Sequence, residues 1–154
     1  MRRGLAKTPH QRWIHPKDFL MAGFDLFALK AHQKRLTLQF TIPDGLPPLA
    51  LDPVPFVRVL HLLVDRALDV TPRGGVTVRV RRTAEGVVIT VEDEGPPVAP
   101  MSVPKLFLSS SPDADLPLAA RLTRHLDGVL TASSGGRQKG LCISLWVPIV
   151  LVHA

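Results

Sequence analysis

Apolar and polar residues follow two different periods along the chain, and these periods predict where helices and strands lie. Apolar side chains recur at the three- to four-residue spacing of amphipathic helices over residues 18–33, 53–70 and 116–126. Strands are predicted, most clearly from alternation in the first, over residues 36–42, 76–82, 87–92, 129–133 and 141–150. This order predicts an α+β fold, a two-layer sandwich with three helices on one face of a mixed sheet of about five strands.

The helix over residues 53–70 has the clearest start signal in the chain. Asp52 can accept a hydrogen bond from a free amide of the first turn, and Pro53 lacks a donor at the position where none is needed. Phe56, Leu60 and Leu63 share one face of the predicted helix. We therefore expect this face to pack on the sheet.

Composition favours one folded domain with a basic surface. The chain has 154 residues, 45% of them hydrophobic, which suffices for a single core. Residues 1–13 lack an apolar period and are predicted to be a flexible lead-in to a domain over residues 14–154. The formal charge of +6 favours anionic partners. A single cysteine and the lack of a continuous membrane-length apolar stretch predict a reducing, cytoplasmic setting without membrane insertion.

Three segments resemble the ATP-binding domain of bacterial histidine kinases, a member of the GHKL group with the Bergerat fold. The segment 51–75 resembles the family's N-box helix, 88–95 its first glycine box, and 140–148 its terminal strand. The segments occur in the family's order, and the similarity extends over nearly the whole chain after residue 14. The resemblance implies the same two-layer fold and a place in two-component signalling.

The residues that would handle phosphate depart from the family's pattern. The resemblance implies a Mg²⁺-holding asparagine where this chain has Arg66, a phosphate-contacting lysine at Asp69, and a polar residue at Leu62. It also implies phosphate-binding glycines at Ser111, Asp113 and Asp115. A carboxylate about 4 Å from a phosphate oxygen is repelled by roughly 4 kcal/mol at an intermediate dielectric. Arg66 can pair with Asp69, three residues later on the same helix face, so we expect no useful Mg-ATP binding.

The base-binding half of the resemblance is better preserved. Asp93 lies where the family's aspartate accepts a hydrogen bond from the adenine amino group, Gly95 stands beside it, and Pro97 replaces the next glycine. Asp93 is equally well explained as a turn residue that ends a strand. Asp93, Gly95 and Arg66 are thus the candidate residues of a degenerate nucleotide pocket, and no cofactor is expected.

Other reactive side chains indicate no catalytic or metal site. His10 and His15 do not fit a phosphoacceptor histidine, which in the resembled family lies on a long helical hairpin and is followed by an acidic residue. His61, His125 and His153 lack metal-ligand spacing, and Ser109–Ser111 has no histidine or lysine at catalytic spacing. Arg79, Arg81 and Arg82 are predicted to lie on the solvated face of a strand. No aromatic stacking platform accompanies them, which argues against single-strand nucleic-acid binding.

The leading hypothesis is a catalytically inactive histidine-kinase-like domain that binds protein, either a signalling partner or a second copy of itself. The loop over residues 96–112 is the predicted contact surface, with Phe107 and Leu108 filling the vacant pocket and Val98, Met101 and Val103 left for a partner. Two alternatives stay open. One is the ATP-binding domain of a sensor histidine kinase with residual nucleotide binding, and the other is a basic nucleic-acid-binding module.

Overall fold

A five-stranded mixed sheet and the helices on one of its faces form the two layers of the protein. The computed structural model describes residues 10–108, 114–135 and 140–150. In chain order the elements are β1 (Arg12–Ile14), α1 (Pro16–Ala22), α2 (Phe24–Gln33), β2 (Thr37–Thr41), β3 (Leu49–Leu51), α3 (Pro53–Val70), β4 (Gly75–Arg82), β5 (Gly86–Asp93), 3₁₀ turns at Pro100–Ser102 and Pro104–Phe107, α4 (Asp115–His125), β6 (Val129–Ser134) and β7 (Leu141–Pro148).

The sheet has the spatial order β2-β4-β5-β7-β6. Strands β2 and β4 are parallel and every other neighbouring pair is antiparallel. Val78 pairs with Val91, and Ile89 with Leu145, and all four side chains are buried in the core. Asp93 pairs with Val76 at the end of β5, so the same register that buries the valines carries a carboxylate under the helical layer. The predicted α+β sandwich is confirmed.

Helix α3 is the central element of the helical layer. Asp52 caps it by accepting a hydrogen bond from the Val54 amide at 3.0 Å, and Pro53 occupies its first turn. Phe56, Leu60 and Leu63 are buried, as their spacing predicted. Both predicted hairpins, β4–β5 and β6–β7, are also confirmed.

The N-terminal region differs from the prediction in two ways. The expected helix over residues 18–33 is divided at Gly23 into α1 and α2, so the described part of the chain has four α-helices instead of three. Gly23 lies close to α3, because an added Cβ would stand 3.0 Å from His61 Nε2, so the break lets the chain pass tightly there. Part of the predicted lead-in is also ordered, since β1 pairs with β3. Each strand is only three residues long, too short for a periodicity to appear.

Candidate functional site

Asp93 is the buried carboxylate at the centre of the candidate site. It is 2% exposed, and its Oδ1 accepts hydrogen bonds from the amides of Gly95 at 2.9 Å and Leu141 at 3.3 Å. The Asp93 carbonyl accepts a third bond from the Gly140 amide at 3.1 Å. One carboxylate oxygen is therefore fixed by backbone donors from the two segments that flank it.

Two glycines permit this close packing around Asp93. A Cβ on Gly140 would stand 1.9 Å from Asp93 Oδ1, and one on Gly95 would stand 2.8 Å from the Val70 carbonyl and 2.9 Å from Asp93 Oδ1. Neither position can hold a side chain without displacing the carboxylate. The structure thus brings Gly95 to Asp93, as the sequence predicted. It also adds Gly140 and Leu141, whose closeness follows from the pairing of β5 with β7.

Arg66 approaches the second oxygen of Asp93 from helix α3. The arginine is 7% exposed, and its Nη1 lies 3.6 Å from Asp93 Oδ2. Burial raises the pKa of Asp93, while the hydrogen bonds from Gly95 and Leu141 and the positive charge of Arg66 act in the opposite direction and do not cancel the effect. The pairing of Arg66 with Asp69 that the sequence allowed is not formed, because the Arg66 side chain points toward Asp93 on the sheet.

Asp69 forms its ion pair with helix α2 and not with Arg66. Its Oδ1 lies 2.7 Å from Lys30 Nζ, which also lies 3.0 Å from Asp65 Oδ1. Burial lowers the pKa of Lys30, but the hydrogen bonds to Asp69 and Asp65 outweigh it, and the pKa is raised overall. Lys34 Nζ adds hydrogen bonds to the carbonyls of Leu68 and Asp69. Sequence reasoning missed Lys30, although Lys30 and Lys34 stand four residues apart on α2, the same spacing as Asp65 and Asp69 on α3.

A cavity of about 350 Å³ opens between α3, the end of β5 and the loop that follows. Its lining consists of Arg66, Val70, Asp93, Pro96, Pro97, Val98 and Leu141. Asp93 and Arg66 are the charged side chains of this lining, and the others are apolar. Of the three candidate pocket residues, Arg66 and Asp93 line the cavity, while Gly95 contacts Asp93 and is outside the lining, as is Asp69.

The loop after β5 packs differently from its prediction. Two successive 3₁₀ turns place Val103 in the core at 7% exposure, so its predicted role in binding a partner is wrong. Val98 is half-buried and lines the cavity, and Met101 is 88% exposed. Among the described loop residues, neither Phe107 nor Leu108 lines the cavity: Phe107 packs against the core and Leu108 is exposed. The cavity wall is formed instead by Pro96, Pro97 and Val98.

The remaining candidates fall into three groups. Ser111 and Asp113 lie outside the described residues, while Asp115 begins α4 and is half-exposed. Arg79 and Arg81 lie on the solvated face of β4, as predicted, and Arg79 Nη1 lies 3.7 Å from Glu92 Oε2. Arg82 is also exposed, but it ends β4 on the face of Val78 and Val80, so its predicted place on the solvated face is wrong. His61 packs its ring against Phe27 at a centroid distance of 4.9 Å.

The described residues contain neither a metal-binding cluster nor a membrane-spanning helix. Across residues 10–108, 114–135 and 140–150, no cluster of three histidine, cysteine or acidic residues could hold a metal ion. Within those same ranges, no helix combines the length and the apolar character needed to cross a membrane.

Comparison with known proteins places these features in a family. Residues 51–151 match the model of the histidine kinase-, DNA gyrase B-, and HSP90-like ATPases. The chain is 38% identical over 80 residues to the adaptive-response sensory kinase SasA of Synechococcus sp. (strain JA-2-3B'a(2-13)), covering 50% of this chain and 21% of that protein. It is 32% identical over 100 residues to the sensor histidine kinase CusS of Escherichia coli O6:H1, covering 64% and 20%. The chain thus spans about a fifth of these relatives.

Solved structures share the fold. The nucleotide-free catalytic domain of the histidine kinase ThkA superposes with a TM-score of 0.81 at 16% identity, covering 90% of this chain and 95% of that one. ThkA has also been solved in complex with the response regulator protein TrrA. That complex matches with a TM-score of 0.79 at 17% identity, over 90% of this chain and 41% of that one.

Proposed function

Because the chain belongs to the histidine kinase-, DNA gyrase B- and HSP90-like ATPase family, we propose that it is a histidine-kinase-type domain in which Arg66 prevents the binding of Mg-ATP. In this proposal the domain binds no Mg-ATP, catalyses no phosphoryl transfer and works in a bacterial, cytoplasmic signalling pathway by binding protein. The observation that carries the proposal is the buried ion pair between Arg66 and Asp93.

The ion pair between Arg66 and Asp93 is incompatible with the binding of Mg-ATP. A guanidinium has only hydrogen-bond donors, so Arg66 cannot ligate Mg²⁺ from the position where the family has its asparagine, and its charge repels the ion. Turning Arg66 toward a phosphate instead would leave Asp93 buried without its counter-charge, and breaking a buried ion pair in this way costs about 3–5 kcal/mol. Asp115 adds a carboxylate in the first turn of α4.

The loop after β5 supports a role in protein binding. Met101 and Leu108 are large apolar side chains exposed on this loop, and burying such side chains against a partner would favour association. The complex of ThkA with the response regulator protein TrrA suggests the kind of partner, namely a response-regulator protein of a two-component pathway. The contact surface proposed here is therefore Met101 and Leu108, in place of the predicted set that included Val103.

Calorimetric titration with Mg-ATP tests whether the domain binds nucleotide. The wild type should give no measurable binding. A variant with Arg66→Asn, Asp69→Lys and glycines at 111, 113 and 115 should gain affinity, and Arg81→Asn, an exposed arginine on β4, serves as the control that should not. Micromolar binding by the wild type would contradict the proposal and favour an ATP-binding kinase domain.

A further inference from the structure

The cavity beside Asp93 is large enough for a small ligand and has a distinct chemical layout. At about 350 Å³, it lies near the lower end of ligand pockets, roughly 300–1,000 Å³. Val70, Pro96, Pro97, Val98 and Leu141 form apolar walls, and Asp93 and Arg66 stand together in the lining. Both charged side chains are more than nine-tenths buried. The site therefore suits a flat, mostly apolar ring with one polar edge.

The charged pair determines what this polar edge must contain. Asp93 Oδ1 is occupied by two backbone amides, which leaves Oδ2 to accept a hydrogen bond from a ligand. Arg66 Nη1 is 3.6 Å from Oδ2, and a guanidinium has five N–H donors, so it can serve a ligand in addition to its protein partners. A guanidinium can only donate and an ionised carboxylate can only accept. A matching ligand thus brings an acceptor next to an N–H donor.

We propose that this cavity binds a neutral, phosphate-free heterocycle that presents a lactam edge, a ring carbonyl beside a ring N–H, as in guanine, hypoxanthine or uracil. The carbonyl accepts from Arg66 while the N–H donates to Asp93 Oδ2. Arginine is the usual partner of the guanine carbonyl, whereas amide side chains are the usual partners of adenine. A neutral ligand also leaves the buried charges balanced, which an anionic or cationic ligand would not do.

The inference rests on the proposed function in one respect, because the cavity must not be occupied by Mg-ATP. Wild-type protein is titrated calorimetrically with guanosine, uridine, adenosine, 1-methylguanosine and Mg-ATP. Guanosine or uridine should bind at least about tenfold more tightly than adenosine, on the scale by which one well-matched base edge discriminates. The methyl group of 1-methylguanosine replaces the hydrogen of the ring N–H. Relative to guanosine, the affinity of 1-methylguanosine should therefore be reduced at least as much as that of adenosine.

A pair of variants assigns the selectivity to the charged edge. Arg66→Met combined with Asp93→Asn removes both charges together, and it should abolish the preference for guanosine or uridine over adenosine. Arg79→Gln, on the solvated face of β4, should keep it. Circular dichroism verifies that the double variant is folded. If it is not folded, the titrations of the wild type with the five ligands decide whether the cavity prefers a lactam edge.

Each outcome distinguishes the two proposals. Tight binding of Mg-ATP would overturn the proposed function, and this inference with it. Binding of none of the five ligands up to millimolar concentration would overturn the inference and leave the proposed function standing. Equal affinity for adenosine and the lactam-bearing nucleosides would also overturn it, as would unchanged affinity for 1-methylguanosine.

Discussion

At the scale of single residues, the two oxygens of the Asp93 carboxylate have different surroundings. Oδ1 accepts from two backbone amides, while Oδ2 faces Arg66 at 3.6 Å. These interactions favour the ionised form, but burial opposes ionisation more strongly and the pKa of Asp93 is raised from its ordinary value of 3.8. The folded protein therefore holds the Asp93 proton to a higher pH than the unfolded chain does.

This shift predicts a pH dependence of stability. Because the folded pKa is raised, the contribution of Asp93 to the free energy of unfolding is fully present below pH about 4 and is lost as pH rises through the folded pKa. The free energy of unfolding of the wild type minus that of Asp93→Asn should accordingly fall as pH rises from about 4. Urea unfolding of both proteins at a series of pH values measures it. A difference that is flat or increases with pH would contradict the assignment.

Arg66 supplies the charge that keeps Asp93 tolerable in the core. Arg66→Gln should lower the free energy of unfolding at neutral pH by about 3–5 kcal/mol, because it leaves a buried carboxylate without its counter-charge. Adding Asp93→Asn should restore part of this loss. The same unfolding measurements test this, with Arg81→Gln on the exposed strand face as the control. If the double variant is no more stable than Arg66→Gln, the two residues are not coupled.

At the scale of elements, α3 determines both the core and the cavity. Leu63 is completely buried on the face that packs toward the sheet, while Val54 near the start of the helix is exposed. The same helix carries Arg66 three residues further along, so the register that buries Leu63 also directs the guanidinium toward β5. A change in this register would disturb packing and pocket together.

Leu63→Ala should lower the free energy of unfolding by about 2–5 kcal/mol, since it removes buried methyl groups and leaves a cavity. Val54→Ala, at an exposed position of the same helix, should change it by less than about 0.5 kcal/mol. Denaturant titration of the three proteins compares them. Equal midpoints for Leu63→Ala and the wild type would mean that the α3 face has been assigned wrongly.

What the sequence could predict depended on the distance over which each signal acts. Local periodicity and capping residues were sufficient for α3 and for the β4–β5 hairpin. The pairing of β1 with β3 joins three-residue strands far apart in the chain, so no local pattern predicted it. The side chains of Arg66 and Asp93 come from a helix and a strand, and only packing decides that Arg66 contacts Asp93 instead of Asp69. Likewise, the 3₁₀ turns that bury Val103 leave little trace in composition.

At the scale of the whole molecule, the two faces of the sheet suggest different uses. The inner face is covered by helices, while the outer face carries the exposed basic residues Arg79 and Arg81 on β4. With a formal charge of +6, this face is the basis of the nucleic-acid alternative. The exposed apolar residues Met101 and Leu108 lie instead on the loop after β5. The two hypotheses therefore concern different surfaces and can be separated by mutation.

The last prediction compares these surfaces directly. Met101→Ser with Leu108→Ser should abolish the capture of signalling proteins from a bacterial lysate while leaving the melting temperature nearly unchanged, because both side chains are exposed. Val103→Ser is the matched control on the same loop: its side chain is buried, so it should lower the melting temperature without removing the contact surface. Affinity capture followed by mass spectrometry, with and without nuclease treatment, measures the outcome.

If the double variant still captures the same proteins, the loop is not the contact surface. If the wild type captures nucleic acid and no protein, and Arg79→Ser with Arg81→Ser abolishes this, the basic outer face is the binding surface instead.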